Sequence, residues 1–160
     1  MSESVAVSEN VSLSVSRMIK ARRPRVFDSW TKPELMHLWF APGTMTVADA
    51  AVDLRVGGAY RVEMRSDGAV TNIAAGVYTE IVPNERLSFT WGWKNFPGPE
   101  SQVTVVFRDV DGGTEVVLTH DRLPNEESRD KHQHGWLGCL ANLVRLYDPE
   151  AEASTYNGCQ

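Results

Sequence analysis

The chain has 160 residues and a formal net charge of −5, with 42% hydrophobic and 23% charged residues. This suits one globular domain rather than a disordered segment, and such a length folds without disulfides or metals. The acidic balance excludes a general nucleic-acid binder, which needs a basic face for phosphates, and argues against binding to anionic membranes.

Met1–Asn10 carries Ser2, Glu3, Ser4, Ser8 and Glu9 with no basic start and apolar run, so it is read as a flexible N-terminus rather than a signal peptide. Val11, Leu13 and Val15 alternate with Ser12, Ser14 and Ser16, predicting a half-buried strand to about Lys20. Pro24 breaks that pattern, and Val26, Phe27 and Trp30 follow at helical spacing. Thr31 is placed to cap a second short helix, with Pro33 and Glu34 in its first turn and Leu35, Leu38 and Trp39 on its apolar face. Pro42-Gly43 ends it.

Strand signals follow. Val47–Leu54 leads to a Gly57-Gly58 turn, then Tyr60, Val62 and Met64 alternate with Arg61, Glu63 and Arg65. Asp67-Gly68 is a hairpin signal, and Ile73–Val82 is the next strand. Leu87, Phe89, Trp91 and Trp93 share one face, and a Pro97-Gly98-Pro99 loop follows. Val103, Val105 and Phe107 share a face of the next strand. Asp111-Gly112-Gly113 turns it into Thr114–Asp121, where Val116, Leu118 and His120 face one way. The period then changes. Trp136, Leu140, Leu143, Val144 and Tyr147 form the stripe of an amphipathic helix over about 127–147. Asp148-Pro149 ends it, and 148–160 reads as a loose polar tail.

The order is β-α-α-β-β-β-β-β-β-α. Tight turns between consecutive strands require an antiparallel meander, and the helix stripe must be buried against it. The fold class is therefore α+β: a curved antiparallel sheet of about seven strands around a long C-terminal helix, with the two short helices closing one end. Residues 11–147 form the domain. Only Cys139 and Cys159 are present. With Cys159 near the chain end, neither a structural disulfide nor an oxidising compartment is indicated. No run approaches a membrane span, and the cytoplasm is the expected location.

Particular segments resemble a known family. These are Val26–Leu35 with Trp39, Pro42 and Gly43; Asp53–Arg61; Gly76-Val77-Tyr78; Pro83–Leu87; and Phe89-Thr90-Trp91. They continue through Val103-Thr104-Val105, Gly113–Val116, Leu118-Thr119-His120 and Gly135-Trp136. In order and spacing they resemble the heat-shock-90 ATPase-activator-homologue-like branch of the START-like (SRPBCC, birch-pollen-allergen-like) superfamily. The resemblance spans about 11–147 and implies a helix-grip fold. It also implies a cavity of the kind in which superfamily members hold lipids, sterols, hormones or polyketides, some catalysing cyclisation there. Fold alone does not fix the role. The chain has no room for the activator's separate chaperone-binding domain, so chaperone contact is not expected to carry over.

Candidate ligand-binding residues are the inward ones: Tyr60, Met64, Tyr78, Phe89, Trp91, Trp93 and His120 from strands, and Trp39, Trp136 and Leu140 from helices. Each large ring buries about 150–250 Å², and together they either line an apolar cavity or fill a solid core. Gly135 and Gly76 are read as points of close helix–sheet approach. His120 is the candidate acid or base, with a hydrogen-bonded rim histidine as the alternative; Asp121 points to the other face. His132 and His134, two apart, diverge on a helix and with Cys139 match no zinc spacing. His37 belongs at the surface or mouth. Arg17 shares the inward parity and calls for a partner, with Asp53 or a ligand carboxylate in view. Lys20–Arg25 is a basic run that reads as a solvated loop rather than an anion site. No nucleophile-elbow, phosphate-loop, dinucleotide or zinc-protease motif occurs, and no cofactor or metal is expected. The leading reading is therefore a domain for an apolar or amphipathic small molecule. The alternatives are a cavity enzyme of cyclase, dehydratase or hydrolase type, or a chaperone-related interaction module. Assembly as a homodimer stays open.

Overall fold

The computed structural model describes residues 11–96 and 98–151. The N-terminal decapeptide, Pro97, Cys159 and most of the polar tail, all read above from sequence, lie outside the described residues. The elements run β1 (Val11–Ile19), α1 (Arg23–Thr31), α2 (Pro33–Met36), β2 (Thr46–Val52), β3 (Ala59–Ser66), β4 (Ala69–Val82), β5 (Arg86–Trp93), β6 (Ser101–Val110), β7 (Gly113–Leu123) and α3 (Glu126–Tyr147). A 3-10 turn at Pro149–Ala151 follows.

The strands make one antiparallel sheet in the order β1-β7-β6-β5-β4-β3-β2. Strands β2 to β7 form the expected meander, and β1 returns to pair with β7, with Val15 opposite Leu118 and Ile19 opposite Thr114. Because β1 and β2 are opposite edges, α1 and α2 must carry the chain across the width of the sheet. α3 lies along β1 and buries Leu140, Leu143 and Val144. They join a core of Leu87, Val103, Val105, Phe107, Val116 and Leu118. This is the expected α+β helix-grip architecture.

Local chemistry accounts for the boundaries. The β3–β4 hairpin turns on Asp67 and Gly68, at φ 53° and 84°, the two left-handed residues of a two-residue turn whose twist suits the strands. So short a turn pairs Ser66 directly with Ala69, and β4 therefore starts at Ala69, not Ile73. Of the missed residues, Ala69 to Asn72, three are exposed and one is half-buried, and they show no alternation. Asn125 caps α3, its side chain accepting from the Ser128 N–H at 2.8 Å, with Glu126 and Glu127 in the first turn, where the helix dipole favours them. Thr31 does not cap α2. It ends α1, donating back to the Phe27 carbonyl at 3.1 Å, and Lys32 is the cap residue.

Candidate functional site

Along β1 the helix α3 packs closely on the sheet. At the other end, where β3, β4 and β5 curl away from the N-terminal half of α3, they part around a cavity of about 440 Å³. Strands β3 to β5 supply Met64, Asn72, Trp91 and Trp93. The chain after α2 supplies Phe40, Pro42 and Met45; α3 supplies Lys131, His132, Gly135, Trp136 and Cys139; Phe96 stands beyond β5. Phe96 is 50% exposed and Lys131 is exposed, so they mark the side open to solvent.

Gly135 shapes this space. A Cβ placed on it would meet no atom within 4 Å, so the residue adds room to the cavity. Close approach of α3 occurs one turn later, at Gly138, where a Cβ would lie 3.3 Å from Pro42. The expectation for Gly135 is thereby corrected. Gly76 is also a point of close approach, but to another strand: a Cβ there would sit 2.0 Å from the Thr90 carbonyl of β5.

Trp91 is the hub of the wall. Its ring lies 5.0 Å from Trp136, 5.3 Å from Trp93 and 6.4 Å from Phe40. Behind it a hydrogen-bonded chain holds the indoles. Trp136 Nε1–H donates to His120 Nδ1 at 3.0 Å. That nitrogen is thus the acceptor, so Nε2 carries the proton and donates to Ser101 Oγ at 2.7 Å. Ser101 in turn donates to the Trp91 carbonyl at 3.3 Å. His120 is fully buried. Burial, and then the nearby His132, push its pKa down to about 3. It is a neutral brace with both nitrogens engaged, and no proton-transfer role follows from this geometry. His132 is held similarly: Nδ1–H donates to the Ser128 carbonyl at 2.8 Å and Nε2 accepts from Trp93 Nε1–H at 3.3 Å. Burial lowers its pKa too.

Of the sequence candidates, Met64, Trp91, Trp93 and Trp136 are brought together on the wall. The others sit elsewhere. Trp39 packs on Trp30 at 4.6 Å and donates to the Ser29 carbonyl at 2.9 Å. Tyr60, Tyr78 and Phe89 form a separate cluster, with Tyr60 5.2 Å from Phe89 and its hydroxyl donating to the Thr90 carbonyl at 2.6 Å. Tyr60 also borders a second, more open hollow with Ala51, Arg61, Val77 and Glu100. Leu140 lies in the core and His120 behind Trp136. Phe40, Pro42, Met45, Asn72, Phe96, Lys131, His132, Gly135 and Cys139 were not anticipated. His132 was within reach: counting back four from Trp136 extends the same helical face.

The basic run is largely exposed and makes surface contacts. Arg23 pairs with Asp109 at 3.1 Å, Lys20 with Asp148 at 3.5 Å, and Arg25 lies 5.5 Å over the Tyr147 ring. The run's first three residues, Lys20 to Arg22, form the expected loop, and its last three, Arg23 to Arg25, begin α1. Asp53 pairs with Arg55 at 3.0 Å, while Arg17 donates to the Ser16 carbonyl at 2.7 Å; the suggested Arg17–Asp53 pair does not form. Among the described residues no cluster of three His, Cys, Asp or Glu side chains could hold a metal. Cys139 is a buried thiol whose pKa burial pushes up to about 12.

The profile of the family described as activator of Hsp90 ATPase homolog 1-like protein matches residues 20–148. The chain belongs to this family. Activator of 90 kDa heat shock protein ATPase homolog 1 of Mus musculus is 29% identical to this family member over 111 residues, which cover 66% of this chain and 30% of the mouse protein. The match thus spans less than a third of that relative. A crystal structure of a Chromobacterium violaceum protein is similar at TM-score 0.78 and 24% identity, covering 86% of this chain and 97% of the other. The crystal structure of the AHSA1 protein of Silicibacter pomeroyi is similar at TM-score 0.78 and 23% identity, covering 88% and 99%. At those identities the two structures establish the shared fold. No helix among the described residues is long and apolar enough to cross a membrane.

Proposed function

We propose that residues 11–147 form a small-molecule-binding domain, holding an apolar or amphipathic ligand between strands β3–β5 and the N-terminal half of α3. The observation that carries this reading is the cavity itself. Its volume of about 440 Å³ falls within the roughly 300–1,000 Å³ of small-molecule sites. Its wall is mostly aromatic and thioether, with few polar groups. Gly135, inside a helix where glycine costs about 1 kcal/mol relative to alanine, enlarges the space. A cavity enzyme acting through His120 draws no support from a doubly bonded neutral imidazole.

The test is a thermal-shift screen of lipids and aromatic acids, alcohols and amines, with native mass spectrometry of freshly purified protein. A ligand present at 100 times its Kd stabilises by about 2.7 kcal/mol, which raises Tm by roughly 5–10 °C at this size. A retained adduct or such a shift supports the reading. Neither effect across the library, at concentrations up to the millimolar range, overturns it.

A second reading, contact with a chaperone ATPase, is favoured by the kinship to the mouse activator. It predicts that the purified domain stimulates the ATPase of a 90-kDa heat-shock protein. Unchanged turnover at saturating domain counts against it.

A further inference from the structure

The polar groups of the cavity wall share one sense. Trp93 and Trp136 spend their indole N–H groups on His132 and His120 at 3.3 and 3.0 Å, which uses the acceptor nitrogen of each histidine. The Asn72 carbonyl oxygen accepts from the Thr71 hydroxyl at 2.9 Å, leaving its amide N–H groups to offer. Trp91 is 4% exposed, and its Nε1 is buried with no hydrogen-bond partner among the described residues. A buried donor left unmade costs on the order of 1–3 kcal/mol; the Trp91 N–H itself is closed to solvent, so a ligand acceptor that draws it out into the cavity gains affinity. Lys131 adds a positive charge on the open side. Glu127 lies 3.5 Å from its ammonium, but both side chains are at least three-quarters exposed, and exposed pairs of this kind hold weakly. No carboxylate lines the cavity among the described residues. The Cys139 thiol stays protonated and adds no negative charge.

A wall that offers donors and a cation, with its strong acceptors already engaged, discriminates by the sign of the ligand's polar end. We infer that the cavity selects a carboxylate-bearing apolar molecule, an aryl or alkyl carboxylic acid, over the matching amine. The inference rests on the ligand-binding reading above and adds to it the chemistry of the ligand's head. An amine brings further donors to a wall whose acceptors are already engaged, and its charge repels Lys131. A carboxylate offers lone pairs to Trp91 and Asn72 and attraction to Lys131.

The experiment is isothermal titration of the full chain at pH 7 with two matched sets: 1-naphthylacetate, 1-naphthylacetamide and 1-naphthylmethylamine; and octanoate, octanamide and octylamine. The acid is expected to bind at least tenfold tighter than the amine, with the amide between. Lys131→Gln should lower acid affinity about threefold to tenfold and leave the amide within twofold. Trp91→Phe, which keeps the ring face and removes the N–H, should weaken acid and amide together by about threefold to tenfold. Circular dichroism confirms that each variant is folded. Equal binding of acid and amine, or preference for the amine, overturns the selection while leaving the cavity as a binding site. Failure of every member of both sets to bind overturns both.

Discussion

Gly135 separates stability from function in opposite directions. It stands in the interior of α3 with no atom near a prospective Cβ. Gly135→Ala therefore gains the helix-propensity difference of about 1 kcal/mol without a clash, which raises Tm by roughly 2–4 °C. Gly135→Leu keeps most of that gain and projects four carbons into the cavity. Burying a leucine side chain adds up to about 1.5–3 kcal/mol, reduced by whatever strain the repacking of Phe40, Met45 and Trp136 imposes. The variant is expected to melt higher than the wild type and to bind at least tenfold weaker. Urea denaturation gives the first quantity, and titration with the tightest ligand from the thermal-shift screen gives the second. A destabilised Gly135→Ala would show that the position is not open. A Gly135→Leu that binds with unchanged affinity would show that the ligand sits elsewhere.

Other consequences follow from the buried network. His120→Ala leaves the Trp136 N–H without its acceptor and the Ser101 hydroxyl without a donor, at about 1–3 kcal/mol for each unsatisfied group. A drop in urea-unfolding stability of less than 1 kcal/mol would contradict the bracing role. Both histidines are held neutral, with folded pKa values below the unfolded value. Protons therefore bind the unfolded chain first, and stability falls as pH drops below about 6.5. His120 alone, at about 3 when folded, contributes a loss of roughly 2–3 kcal/mol between pH 6 and pH 4. His120→Gln should flatten that slope, and an identical slope in the variant would refute the assignment. Cys139, buried with its pKa pushed up, should resist iodoacetamide in the native protein and react once unfolded. Rapid native labelling of its peptide would contradict the packing.

Much of the architecture could be read from alternation and turn chemistry. Tyr60-Val62-Met64, Phe89-Trp91-Trp93 and Val116-Leu118-His120 each declare an inner face, and Asp67-Gly68 closes its hairpin as expected. The stripe from Trp136 to Tyr147 gives α3 its orientation. The site was only half legible. Parity says which side chains point inward, but not where along the sheet the helix lifts away. Phe89 and Trp91 are therefore indistinguishable in sequence, although the first packs against Tyr60 and the second lines the cavity. Phe40, Pro42 and Met45 reach the wall from an irregular segment with no period to read. Gly135 and Gly138 look alike in sequence, and only the position of Pro42 across from the second tells them apart. His120 illustrates the remaining gap. A histidine on an apolar strand face invites a catalytic reading, and its role depends on Ser101 and Trp136, 19 and 16 residues away.

The five tryptophans provide the most direct test of the proposed site. Trp91, Trp93 and Trp136 line the cavity, while Trp30 and Trp39 do not line it and pack against each other one layer behind Phe40 and Trp136. In a ¹H–¹⁵N spectrum of the indole groups, titration with 1-naphthylacetate should move the Trp91, Trp93 and Trp136 signals in a saturable way and shift those of Trp30 and Trp39, one layer further back, by less. Movement confined to Trp30 and Trp39, or none at saturating ligand, would contradict it.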